Sequence, residues 1–296
     1  MVNNKQFTVC WHVDDLKVSH KEPKVVDEFL AWCKEKYEDK NIGELKTVRG
    51  KLHTYLGMTL DYRTLGEVKL SMLDYVKEVI NAYPYPNELK KPVTTLAADH
   101  LFKIRETKKL KPEHARIFHN IVAKGLFLCQ RSRADIQLVI AFLTTRVRDP
   151  DEDDWKKLKR MLQYLNCTKN LVTSLRANEG ATVVKWFIDA AFAVHADFKS
   201  HTGGASTLGK GSITTISNKQ KLNTKSSTEA ELVGVDDASG HVFWTRELLN
   251  EQGYKVKENI IYQDNQSAIL LEKWYEVSWK EIQAHKHSLF LYQRLS

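Results

Sequence analysis

The chain has 296 residues, 42% hydrophobic and 28% charged, which is ordinary globular composition with room for two domains. No apolar run approaches the roughly 18 residues of a membrane span, and "MVNNKQFTVC" lacks a secretory pattern, so an intracellular protein without a membrane partner is expected. A formal net charge of +8 favours a polyanionic partner, while four cysteines (Cys10, Cys33, Cys129, Cys167) without C-x-x-C spacing read as reduced thiols rather than a zinc site.

In chain order, "FTVCW" reads as a strand that runs into the adjacent acids Asp14 and Asp15. Val25, Val26, Phe29, Leu30 and Cys33 recur at helical spacing after Pro23. "KLHTYLGMTLDYRTLGEVKLS" reads as two strands joined at Gly66, followed by a helix from Met72 to Tyr83. Pro84, Pro86, Pro92 and Pro112 predict a long connection, which carries the basic stretch "RETKKLK" at 105–111. From Glu113 the pattern is helical, broken near Arg131 to Ala134 and at Asp149-Pro150. Asp151 to Asp154 sit where a helix start favours negative charge, and a capped, solvated N-terminus is expected there.

The last third changes texture. "TVVKWFIDAAF" is strand-like, and "GGASTLGKGSITTISNKQKLNT" reads as strands broken at glycines. "SSTEAELVGVDDASGHVFWTRELLNEQGY" is a long helix, and "NIIYQDNQSAILLEKWYEV" is a strand followed by a helix. Together these predict a compact mixed α/β domain. Asp189 ends one strand, Glu231 lies one turn into the helix, and Asp264 ends another strand, so all three can project to a common rim. Three such carboxylates can hold divalent ions of the kind used in phosphoryl transfer. Structural roles compete with that reading: Glu229 with Ser226, or Glu231 with Thr228, can form a capping box, and Asp264 or Asn265 can cap the following helix.

"KQKLNTKSSTEAELVGV", "IIYQDNQSAILL" and "WFIDAAF" resemble the ribonuclease H domain of copia-type LTR retrotransposon polyproteins. "WHVDDLKVSH" resembles the reverse-transcriptase motif that carries the polymerase Asp pair, and "HTYLGMTLDY", "FHNIVAKGLFLCQRSRADIQLVIAFLTTRV" and "DDWKKLKRMLQYL" follow in the order of that family. The resemblance implies a multidomain α+β and α/β protein. Residues 1–105 would be a partial polymerase palm and thumb, 106–178 a helical connection, and 182–296 a ribonuclease H-like mixed-sheet domain. It implies that Asp189, Glu231 and Asp264 ligate two magnesium ions, with manganese as a substitute, and cut the RNA strand of an RNA–DNA hybrid. Asp14 and Asp15 would be a relic of the polymerase site. Polymerase activity is not expected from this chain alone, since the family places a further metal-binding aspartate and the fingers upstream; another chain would have to supply them in trans. At the other end, Leu289 stands where the family carries a fourth carboxylate, and His285 and His287 are candidate accessory residues. The alternative is a decayed element that retains basic nucleic-acid binding without catalysis.

Overall fold

The computed structural model describes residues 1–38, 43–178 and 182–271, together with the strand Phe290–Gln293. The chain opens with strands β1 (Thr8–His12) and β2 (Asp15–Ser19), which pair antiparallel as a two-stranded sheet of their own. Helix α1 (Pro23–Tyr37) starts with Pro23 in its first turn, where a missing N–H costs nothing. It ends with Lys34 and Lys36 beside the negative end of the helix dipole.

Three strands follow where two were predicted: β3 (Leu52–Tyr55), β4 (Met58–Asp61) and β5 (Val68–Ser71). The extra break lies at Leu56-Gly57, both of which have positive φ (51° and 77°). Positive φ at both central residues matches the twist of a two-residue hairpin, but Leu-Gly is not the Asn-Gly or Asp-Gly pair that announces one.

Helices α2 (Leu73–Asn81), α3 (Pro112–Cys129), α4 (Gln137–Thr144) and α5 (Glu152–Cys167) share one core. Val79, Phe118, Ile121, Leu128, Ile140, Leu143, Leu158 and Leu162 are sealed within it. That core draws on residues on both sides of position 105, so packing does not break there. The acid run caps α5 as expected: Asp151 accepts from the Asp153 and Asp154 amides at 2.9 and 3.0 Å, and Asp154 accepts from the Asp151 amide at 3.1 Å. The expectation of a solvated cap does not hold, because Asp151, Asp153 and Asp154 are buried. Arg146, 3.0 Å from Asp154 and 3.4 Å from Asp151, supplies the counter-charge that burial demands.

The predicted helical stretch 106–178 ends in a strand, β6 (Thr173–Ala177), which pairs with β5 through Val68 opposite Leu175. After β7 (Val183–Ala191) and β8 (His201–Thr207), the short β9 (Gly209–Lys210) pairs with β6. One antiparallel sheet, ordered β3-β4-β5-β6-β9, thus draws on all three predicted segments.

The second five-stranded sheet is mixed. With β10 (Thr214–Lys219), β11 (Glu258–Gln263) and β12 (Phe290–Gln293), its order is β10-β8-β7-β11-β12. β7, β8 and β10 are antiparallel neighbours, while β11 runs parallel to both β7 and β12. Along β7, Val184, Trp186, Ile188 and Ala190 are buried. Helix α6 (Ser227–Glu251) lays Val235, Ala238 and Val242 against that side of the sheet. A Cβ on Gly234 would stand 3.5 Å from the Ala190 Cβ, so a small residue lets α6 approach closely. Trp186 donates its indole N–H to Asn259 at 3.1 Å, and Asn259 donates on to the Val242 carbonyl, also at 3.1 Å; this satisfies the polar atoms of these two buried side chains. All four cysteines are free thiols. No helix among the described residues is long and apolar enough to cross a membrane.

Candidate metal centre

Three elements meet at the C-terminal ends of two interior strands of the mixed sheet. β7 delivers Asp189, the first turns of α6 deliver Glu231, and the residue after β11 is Asp264. Each offers a carboxylate oxygen, and these oxygens all lie within 4.8 Å of one another. Asp189 and Asp264 are exposed, whereas Glu231 is buried. Among the described residues no cation pairs with any of the three, and no other group of three or more potential ligands comes as close.

The competing capping roles fall to neighbours. Ser226 accepts from the Glu229 amide at 3.2 Å, and the Glu229 carboxylate accepts from the Lys225 amide at 2.6 Å. Glu229 is thus committed to the helix start, while Glu231 turns inward. Likewise Asn265 accepts from the Ala268 amide at 3.0 Å and caps the helix there, which leaves the Asp264 carboxylate unused by the cap.

Glu231 carries the electrostatic strain of the cluster. Burial, with lesser contributions from the charges of Asp189 and Asp264, pushes its carboxyl up to about 7; a hydrogen bond from Gln263 opposes the shift. Three acids facing one another without a protein cation suit a bound divalent ion, whose charge would reverse that penalty.

Gln263 is the residue that sequence reasoning missed. Its amide donates to Glu231 Oε2 at 3.0 Å, and its own Oε1 accepts from the Asp264 and Asn265 amides at 2.8 and 3.0 Å. One buried side chain thus ties the helix-borne acid to the loop that carries Asp264. The signal was present in "IIYQDN": strand alternation turns Gln263 inward where Asp264 turns outward. A second buried glutamine, Gln220, donates to Thr202 Oγ1 at 3.0 Å and to the Ala230 carbonyl at 2.9 Å, fixing the start of α6 against the sheet.

The other predicted site residues lie elsewhere or outside the described chain. Asp14 occupies the β1–β2 turn and Asp15 opens β2 opposite His12; both are exposed, and neither joins a carboxylate cluster among the described residues. His285, His287 and Leu289 lie outside the described residues. Of the basic loop near the centre, Lys219 is held by Asp197 at 2.7 Å, while Lys221 and Lys225 are exposed.

No family model matches the chain. It is 26% identical over 293 residues to the retrovirus-related Pol polyprotein from transposon TNT 1-94 of Nicotiana tabacum, which covers 96% of this chain and 21% of that protein. Over 265 residues it is 29% identical to the Pol polyprotein from transposon RE1 of Arabidopsis thaliana, covering 88% of this chain and 17% of the relative. The chain is a relative of copia-type retrotransposon Pol polyproteins. It spans about a fifth of the length of these polyproteins. A putative transposon Ty5-1 protein of Saccharomyces cerevisiae is nearer in size: 26% identity over 235 residues covers 76% of this chain and 70% of that one. Among solved structures, a foamy viral protease-reverse transcriptase in complex with RNA/DNA hybrid matches 97% of this chain and 36% of its own at TM-score 0.53. At 11% identity that likeness is one of fold. The Pol-related chain therefore has the fold of part of a reverse transcriptase, including a mixed sheet of ribonuclease H-like arrangement.

Proposed function

We propose that this Pol-related chain is a ribonuclease H-type endonuclease that cuts the RNA strand of an RNA–DNA hybrid with the help of magnesium. The observation that carries the reading is the convergence of Asp189, Glu231 and Asp264, from a strand, a helix and a strand end, to within 4.8 Å. In this reading the three carboxylates hold the divalent ions, with manganese an acceptable substitute. When bound, the ions would supply Lewis-acid stabilisation of the attacking and leaving oxygens at a phosphodiester.

The chain's own contributions follow from its geometry. Asp189 and Asp264 face solvent, where a polyanionic strand can reach them; Glu231 closes the inner side of the cluster. Gln263 holds Glu231 Oε2 and the Asp264 backbone in fixed relation, so the donor set is organised before any ligand arrives. Exposed Lys221 and Lys225 stand on the loop between β10 and α6 and are available to backbone phosphates. The division at 105/106 and 178/182 belongs to the same proposal as a division of the sequence by ancestry, since one core crosses the first limit and one sheet crosses both; so does the relic role of Asp14 and Asp15.

The deciding experiment is cleavage of an end-labelled RNA–DNA hybrid in magnesium by the wild type beside Asp189→Asn. Cleavage by the wild type alone is expected. Equal products from both would remove the triad from the chemistry. Salt-sensitive hybrid binding without cleavage by the folded wild type would leave a chain that binds nucleic acid and no longer cuts it.

A further inference from the structure

A second feature lies away from the triad, where the connection passes over α5. Residues 96–105 and one face of α5 enclose a cavity of about 280 Å³. Arg105, Lys156, Lys157 and Arg160 line it with His100, and Asp153 is the single carboxylate among its walls. Four cations against one acid leave an excess of three positive charges with His100 neutral.

Asp153 is ion-paired with two of the four cations, although its buried Oδ2 accepts no well-directed hydrogen bond. Lys157 Nζ lies 2.9 Å from the carboxylate and Arg105 Nη1 lies 3.7 Å away. Lys157 also donates to the Lys103 carbonyl at 2.7 Å. Arg160 gives one Nη2 bond to Thr95 Oγ1 at 2.6 Å, but its Nε is buried and has no partner. Lys156 is exposed at the cavity mouth, with no acidic partner among the described residues. Lys156 and Arg160 are four residues apart on one helix face, a spacing at which like charges repel. A buried guanidinium donor left unpaired is a further cost. Both costs disappear when an oxyanion enters between these side chains. Lys156 also lines a neighbouring cavity of about 380 Å³ with Lys108, Lys109, Lys111 and Lys159 against the two carboxylates Glu88 and Glu152, so a net positive surface continues past the mouth.

We propose that the cavity between residues 96–105 and α5 is a binding site for phosphoryl oxyanions. Two guanidinium groups and two ammonium groups offer planar forks and point charges to tetrahedral phosphate oxygens. The phosphate comes either from a nucleic-acid backbone or from a free polyphosphate, and these two sources can be separated. The site is independent of the triad, because none of the three carboxylates lines it.

The test uses the full chain in chelator, so that no divalent ion contributes. Anisotropy of a labelled RNA–DNA hybrid across a salt series is measured for the wild type, Lys156→Gln and Lys156→Gln/Arg160→Gln, and calorimetry with pyrophosphate is run on each. For a backbone phosphate, the salt slope drops by about one in the single variant and about two in the double, and pyrophosphate competes with the hybrid. For a free polyphosphate, pyrophosphate binding is lost in the variants while hybrid binding is unchanged. Either result supports the site. Absence of pyrophosphate binding by the wild type, with hybrid affinity unaltered in both variants, overturns it. Lys24→Gln, on an exposed turn of α1, controls for bulk charge; a hybrid loss equal to that of Lys156→Gln would also overturn the proposal. Because Lys156 is exposed, its variant keeps the test open if Arg160→Gln unfolds the helix.

Discussion

The two ends of the described chain present carboxylates in opposite circumstances. Asp14 and Asp15 sit on a hairpin whose Trp11 and Val13 are each 76% exposed and which pairs with no other strand. Val13 even holds φ at +50°, an unfavourable conformation for a β-branched residue. Asp189, Glu231 and Asp264 rest instead on a five-stranded sheet backed by a 25-residue helix, with Trp186, Val184 and Ile261 fully buried beneath. Bringing like charges together requires structure rigid enough to resist their repulsion. The mixed sheet provides that rigidity and the isolated hairpin does not, although the hairpin carries the more conspicuous acid pair in the sequence.

That contrast can be broken most directly by moving the same change between the two regions. Asp189→Asn or Asp264→Asn is expected to reduce hybrid cleavage to background, while Asp14→Asn and Asp15→Asn leave it unchanged in a single-turnover cleavage assay. Loss of activity on changing Asp14 would mean that the hairpin contributes to the active centre.

The next largest difference is in stability. Trp186→Ala removes a wholly buried ring and its bond to Asn259, and should cost about 3–5 kcal/mol in urea denaturation. Trp11→Ala, on the exposed hairpin, should stay within about 0.5 kcal/mol. Comparable losses would show that the hairpin is covered in solution.

A pH experiment sharpens the electrostatic side. Glu231 holds its proton up to about 7 in the folded chain against 4.5 as its ordinary value. Between those values the folded state binds the proton more readily than the unfolded one, so the stability that Glu231 contributes falls as pH rises from 4.5 through 7. In chelator, Glu231→Gln should therefore stabilise the protein by on the order of 2–3 kcal/mol at pH 8 and hardly at all near pH 4.5, read by thermal melting. Equal melting of variant and wild type at pH 8 would mean that the cluster is not strained.

The smallest expected effect concerns the bridge. Gln263→Leu should weaken manganese affinity about 10–100-fold by calorimetry, with Gln263→Glu unable to restore it because a carboxylate cannot donate to Glu231. Unchanged affinity would make Gln263 a packing residue only.

Much of this was legible in the sequence. The alternation through Val184, Trp186 and Ile188 announces β7, and Ser226 followed by a long helical run announces α6. The positions of Asp189 and Asp264 at strand ends follow from the same patterns. What the patterns leave open is the division of labour between near neighbours. Glu229 and Glu231 are two residues apart, so they point roughly 200° apart around the helix. The cap at Ser226 and Lys225 takes one, and the packing of α6 on β7 turns the other to the cluster. Asn265 likewise takes the cap that Asp264 could have made.

By itself, the sequence determined the local periods, the helix starts and the net positive charge, because each depends on residues within a few positions of one another. Only the tertiary structure decided that Leu56-Gly57 makes a hairpin and that β6 and β9 join a sheet begun more than a hundred residues earlier. It alone joined Gln263 to Glu231 across 32 positions, and Arg105 and Arg160 around one cavity. Strand pairing and side-chain convergence are bought with long loop closures and settled by packing, and no local pattern encodes which distant partner will be met.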